Sequence, residues 1–132
     1  MFPAQSSKPY KLTFEERPQY LYAYVEGEND SYEISRAYWD EVAEKVKLLN
    51  SSRVLIDENI VESGTFADVY KLASEIPDMG FGRAKLAFVD RFLGQSDINE
   101  FGELVALNRG ANGRVFNDIR MAEEWLLADS SV

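Results

Sequence analysis

Hydrophobic residues recur along this chain with two different periods. Tyr10, Leu12 and Phe14 alternate with Lys11, Thr13 and Glu15, the two-residue repeat of a strand with one wet face. Beyond Arg17-Pro18-Gln19, the stretch Tyr20 to Val25 (YLYAYV) is apolar or aromatic at every position, as in a strand covered on both faces. Trp39, Val42, Ala43, Val46 and Leu49 then recur every three or four residues, predicting an amphipathic helix over 31–49, with Asp30 and Glu33 at capping-box spacing. Arg53 to Asp57 (RVLID) reads as a third strand. Thr65-x-x-Asp68 opens a second helix whose Phe66, Val69, Ala73 and Ile76 form one stripe, stopped by Pro77. Lys85 to Asp90 (KLAFVD) is a fourth strand. Asp97-x-x-Glu100 opens a helix through Phe101, Leu104, Val105 and Asn108, ending at Gly110. Arg114 to Phe116 is a fifth strand, and Asp118 caps a last helix carrying Ala122, Trp125 and Leu126.

The predicted order is ββαβαβαβα. Strands alternating with helices imply parallel pairs joined by right-handed crossovers, and the opening hairpin adds one antiparallel strand at an edge. The expected fold is therefore α/β: a mixed, mostly parallel five-stranded sheet with four helices. It forms a single domain over residues 10–128, with an arm over 1–9 and a tail over 129–132.

Composition narrows the chemistry. The 132 residues include neither Cys nor His, which removes disulfides, thiolate sites, Ser-His-Asp hydrolysis and ordinary zinc sites together. The 23 acidic residues outnumber the 14 basic ones for a net charge of -9, so the surface repels phosphate backbones, and nucleic acid is not an expected partner. The opening MFPAQSSKPY has neither the basic nor the apolar segment of a signal peptide. No later run approaches the ~18 apolar residues of a membrane span. A cytoplasmic location without membrane insertion is the expectation.

In open α/β sheets ligands bind beyond the carboxyl ends of the strands. Those ends carry Asp57, Glu58, Asp90 and Arg91, a possible polar site, although Asp is also favoured there for local backbone hydrogen bonds. The loop Glu62-Ser63-Gly64-Thr65 places hydroxyls where a helix begins. Without a first glycine or any His it is no hydrolase elbow. It reads as a helix cap, a phosphoacceptor or a contact loop. Met79-Gly80-Phe81-Gly82 precedes a strand instead of following one, so it is a turn and not a dinucleotide fingerprint. No cofactor or metal is implied, and no catalytic residue is assigned.

The double strand followed by alternating helix and strand, with Ser63-Gly64 after the third strand, resembles the STAS-like superfamily. The segments KLAFVD and Arg114 to Leu126 (RVFNDIRMAEEWL) resemble its SpoIIAA-like branch, which is related to lipid-binding SEC14 domains. The resemblance implies a non-catalytic regulatory or protein-interaction module, with Ser63, Gly64, Thr65 and Glu62 in the contact loop. Anti-sigma antagonists carry Asp-Ser-Ser-Gly in that loop; here Val61-Glu62 replaces its first two residues. The SEC14 kinship implies, as the alternative, a binder or carrier of a small apolar or lipid-like ligand. A protein partner is expected in the first case, and a homodimer stays open.

Overall fold

The computed structural model describes residues 8–128; the sequence-predicted arm up to residue 7 and the tail 129–132 lie outside the described residues. The elements are β1 (Tyr10–Glu16), β2 (Leu21–Asn29), α1 (Tyr32–Leu49), β3 (Arg53–Glu62), α2 (Phe66–Glu75), β4 (Lys85–Asp90), α3 (Ser96–Asn108), β5 (Gly113–Phe116) and α4 (Ile119–Leu127). Single 3-10 turns sit at Ile76–Asp78 and Leu93–Gln95. The sheet has the order β1-β2-β3-β4-β5, antiparallel between β1 and β2 and parallel elsewhere.

That monotonic order fixes where the helices go. Successive right-handed crossovers that all step the same way must place their helices on one face. Accordingly, Val54, Ile56 and Leu86 pack with Tyr38, Trp39, Val42 and Val46 of α1 and Leu72 of α2. α3 lies along α2 and over β5. α4 alone crosses to the other face, where Ala122 and Leu126 cover Leu55, Ala87 and Val89.

The ends of the elements depart from the sequence reading in three places. β3 runs on to Glu62, because its pairing with β2 continues to Asn29↔Glu62 and leaves Asp57 mid-strand. Ser31, not Asp30, caps α1, accepting from the Ile34 N–H, while Asp30 turns inward. α3 begins at Ser96 behind Gln95 with no side-chain cap, so Asp97-x-x-Glu100 forms no box. Only the box of Thr65 and Asp68 forms with both bonds as read.

β2 is not covered on both faces. Leu21, Ala23 and Val25 are buried, but Tyr22 and Tyr24 stay half-buried because α4 sits over β3 and β4. Phe66, expected in the stripe of the second helix, points outward at 54% exposure, and Leu104 of α3 is exposed at 58%. The Met79 to Gly82 segment is a turn as predicted, with Gly80 at φ 109° and Gly82 at φ 60°. Among the described residues no helix is long and apolar enough to cross a membrane.

Candidate functional site

The pleat divides the strand-end residues between two places. β3 and β4 pair in the register Asp57↔Val89 and Glu58↔Asp90. Alternation then puts Glu58 and Asp90 on the face of α1, α2 and α3, while Asp57 points to the α4 face. The sequence-predicted group of Asp57, Glu58, Asp90 and Arg91 is therefore two pairs on opposite sides of the sheet.

On the α4 face, Asp57 is fully buried and takes both arms of the Arg91 guanidinium, at 3.1 and 2.7 Å, together with the Tyr22 hydroxyl. The guanidinium lies 5.3 Å from the centre of the Tyr24 ring. Hydrogen bonding to Asp57 pushes the Arg91 pKa further up. Every carboxylate oxygen of Asp57 has a partner, so this pair is a closed structural unit.

On the helix face the carboxyl groups border a void. Asp30 leaves the end of β2, and its N–H bonds the Glu62 carbonyl at 2.8 Å, tying the ends of β2 and β3 together. Its Oδ1 accepts from the Ser31 N–H at 2.8 Å and the Ser35 hydroxyl at 2.6 Å. Tyr38, one turn further along α1, donates to Glu58 Oε2 at 2.7 Å and lies 3.2 Å from Asp30 Oδ2. Asp90 Oδ1 accepts from the Phe92 N–H at 2.9 Å and Oδ2 from Asn99 at 2.7 Å. Asp30 and Asp90 thus flank Glu58, and the donors bonded to the three carboxyls are all neutral.

Burial governs their proton affinities. Removal from water, followed by the negative charges of Asp30 and Asp90, pushes the Glu58 pKa well above the usual carboxylate range. Burial also raises Asp30 and Asp90, opposed by the hydrogen bonds they accept. The Tyr38 hydroxyl is raised by burial and by the charges of Glu58 and Asp30. Glu58 therefore holds its proton to higher pH than an exposed carboxyl does.

Behind this polar end lies a cavity of about 120 Å³ between the sheet and α1, α2 and α3. Its apolar walls are Trp39, Val69, Leu72, Leu86, Phe88 and Val115, and small residues (Ala73, Gly102, Ala106, Ala111, Gly113) complete them. Those small residues explain the void. α2 and α3 approach so closely that a Cβ on Gly102 would sit 2.8 Å from Val69 Cγ1, yet no long side chain reaches the space they enclose.

Ser63 and Gly64 line this cavity beside Asp68. Thr65 is the true cap of α2, accepting from the Asp68 N–H at 3.1 Å. A Cβ on Gly64 would lie 3.0 Å from Asp68 Oδ2. Glu62 closes β3 with an exposed side chain.

Sequence reasoning missed Asp30, Ser35, Tyr38 and Asn99 as site residues. Ser35 carried a signal, being a polar residue on the inward face of α1 in line with Tyr38, Trp39 and Val42. Among the described residues no group of three or more acidic side chains is arranged to hold a metal ion.

No protein-family model matches the sequence, and no curated protein does. A search of solved structures finds an uncharacterized protein of the DUF3478 family with a SpoIIAA-like fold, from Shewanella loihica PV-4. It is 16% identical, with a TM-score of 0.50 over 95% of this chain and 99% of that one. The fold of this chain is SpoIIAA-like.

Proposed function

We propose that this chain is a non-catalytic module of the STAS-like type that takes a small, largely apolar ligand into the cavity between the sheet and α1, α2 and α3. One observation carries this reading. A void of about 120 Å³, walled by Trp39, Leu72, Leu86 and Phe88, ends at a few converging polar groups, the make-up of a small-molecule site. Core packing at ordinary density would leave no such space. The polar groups at that end are carboxyls, a phenol, serine hydroxyls and an amide, with no imidazole or thiol among them.

Native mass spectrometry of gently purified protein tests the reading, together with melting temperatures in the presence of toluene and indole. A co-purified apolar molecule, or a rise in melting temperature that Ala106→Leu abolishes by filling the void, is the expected result. No bound molecule and no shift with any apolar probe would end it.

A second reading, docking of a protein partner, has its own observation. Phe66, Tyr70, Leu104 and Leu107 are 46–58% exposed on the outer faces of α2 and α3, and Phe66 meets Phe101 edge-on at 5.3 Å. This strip adjoins the Ser63 loop. Phe66→Ser and Leu104→Ser should each release a bound partner, while Met121→Ser, on α4, should not. If all three variants hold the partner equally, the strip is not the contact.

A further inference from the structure

We propose that the ligand of this cavity is a compact apolar amine, held as its ammonium ion with the nitrogen against Glu58 and Asp30 and the hydrocarbon against Trp39, Leu72 and Phe88. The inference rests on the cavity reading above and adds the charge of the ligand. Acidic side chains gather at many strand ends and mark nothing by themselves. Here the wall behind them is apolar and leaves a void, and the carboxyls form one end of that void.

The charged side chains turned toward the cavity are acidic. Asp30, Glu58, Asp68 and Glu103 all border the cavity, and Asp90 stands behind Glu58. Arg114 also borders it, but its guanidinium lies over the ring of Phe116, which packs in the core on the α4 face. The three converging carboxyls are met by the Ser31 and Phe92 N–H groups, the Ser35 and Tyr38 hydroxyls and the Asn99 amide, none of which brings a positive charge. Glu103 spends Oε2 on the Val115 N–H at 2.7 Å, and Asp68 is engaged in the α2 cap, so neither neutralises the others.

Three classes of small ligand then rank themselves. A carboxylate or phosphate head would bring like charge into a poorly solvated site, where repulsion is strongest. A neutral head would gain burial and ordinary hydrogen bonds. An ammonium would gain charge-assisted bonds to carboxyls whose own hydrogen-bond partners are all neutral. The proton balance is simple: whatever share of the Glu58 carboxyl is protonated in the empty site releases its proton to solvent as the ammonium arrives, and a carboxylate-ammonium pair remains. Size follows from volume: a cavity of roughly 150 Å³ accepts the six carbons of benzene, so about five non-hydrogen atoms lie inside the 120 Å³ here and the rest of a single-ring amine extends into the open mouth.

Calorimetric titration of the full chain with benzylamine, benzyl alcohol, toluene and benzoate decides the matter, because the four share one ring and differ in the head. Benzylamine should bind about tenfold or more tighter than benzyl alcohol, the increment of a charge-assisted bond over a neutral one, and benzoate should not bind. Its apparent enthalpy should differ between phosphate and Tris buffers, the mark of proton release on binding. Glu58→Gln should reduce benzylamine to the affinity of the alcohol. Benzyl alcohol or toluene binding as tightly as benzylamine, or benzoate binding at all, would leave the cavity standing and overturn the amine. So would an unchanged preference in Glu58→Gln. Should that variant not fold, the wild-type ranking and the buffer dependence still decide. Failure of all four probes to bind removes the cavity reading itself, and the amine with it.

Discussion

The buried acid makes a quantitative demand on stability. In the unfolded chain the Glu58 carboxyl ionises near its ordinary value of 4.5, whereas in the folded protein burial and the charges of Asp30 and Asp90 keep it protonated to higher pH. Between those two values the native state holds a proton that the unfolded state has lost. Stability therefore falls as pH rises through that window, by about 1.4 kcal/mol per pH unit, and the loss stops growing above the folded value. Below pH 4.5 the term is absent. Gln has nearly the shape of a protonated Glu and cannot ionise, so Glu58→Gln deletes the term while keeping the bond from Tyr38. Urea unfolding of both proteins at several pH values, followed by the fluorescence of Trp39 and Trp125, measures the difference. The variant should gain on wild type by about 1.4 kcal/mol per pH unit over at least the first unit above the unfolded value. Asp30 and Asp90, also raised, contribute with the same sign in both proteins and largely cancel. A difference that stays within ~0.5 kcal/mol between about pH 5 and 7 would mean that Glu58 ionises normally when folded, and the account of the site would fall.

Two other substitutions separate structure from site. Arg91→Ala strands the fully buried Asp57 carboxylate and should cost about 3–5 kcal/mol, whereas Asp57→Asn leaves a half-exposed guanidinium that water can serve and should cost less than half of that. Equal losses in denaturant unfolding would contradict the closed-pair description. Thr65→Ala removes the cap of α2 and should cost about 1 kcal/mol, while Ser63→Ala, which touches no helix N–H, should stay within ~0.5 kcal/mol of wild type. The reverse order in melting experiments would make Ser63 the cap. Asp68→Ala, which opens the same box, should resemble Thr65→Ala, so it cannot serve as a clean probe of partner contact.

Element type and order were legible because they depend on local pattern. Period-two and period-3.6 repeats name the strands and helices, and right-handed crossovers make them a parallel sheet. The capping-box pattern was a poorer guide. Of three Thr/Asp-x-x-Asp/Glu signals only Thr65 and Asp68 close, because Asp30 is drawn inward by Ser35, and α3 starts one residue before Asp97. The site was half legible. Glu58 and Asp90 stood out as strand-end acids, but their separation from Asp57 and Arg91 depends on how far β3 extends, which only pairing with β2 sets. Tyr38 drew no assignment, since nothing in α1 tells that its hydroxyl ends between two carboxyls. The cavity could not be read at all, because an absence of atoms results from how α2, α3 and the sheet meet and not from any residue taken singly.

The order of the sheet has a consequence for how the protein comes into being. From β2 onward each strand lies beside the one made just before it, so every crossover closes a loop no longer than one helix and its turns, and the entropy of closure stays small. The sheet can grow outward from its first hairpin as the polypeptide emerges, without a gap being held open for a later strand. β5, four residues long, is then the last rung laid down, and the Val115 N–H on its edge is already taken by Glu103 of the helix that precedes it.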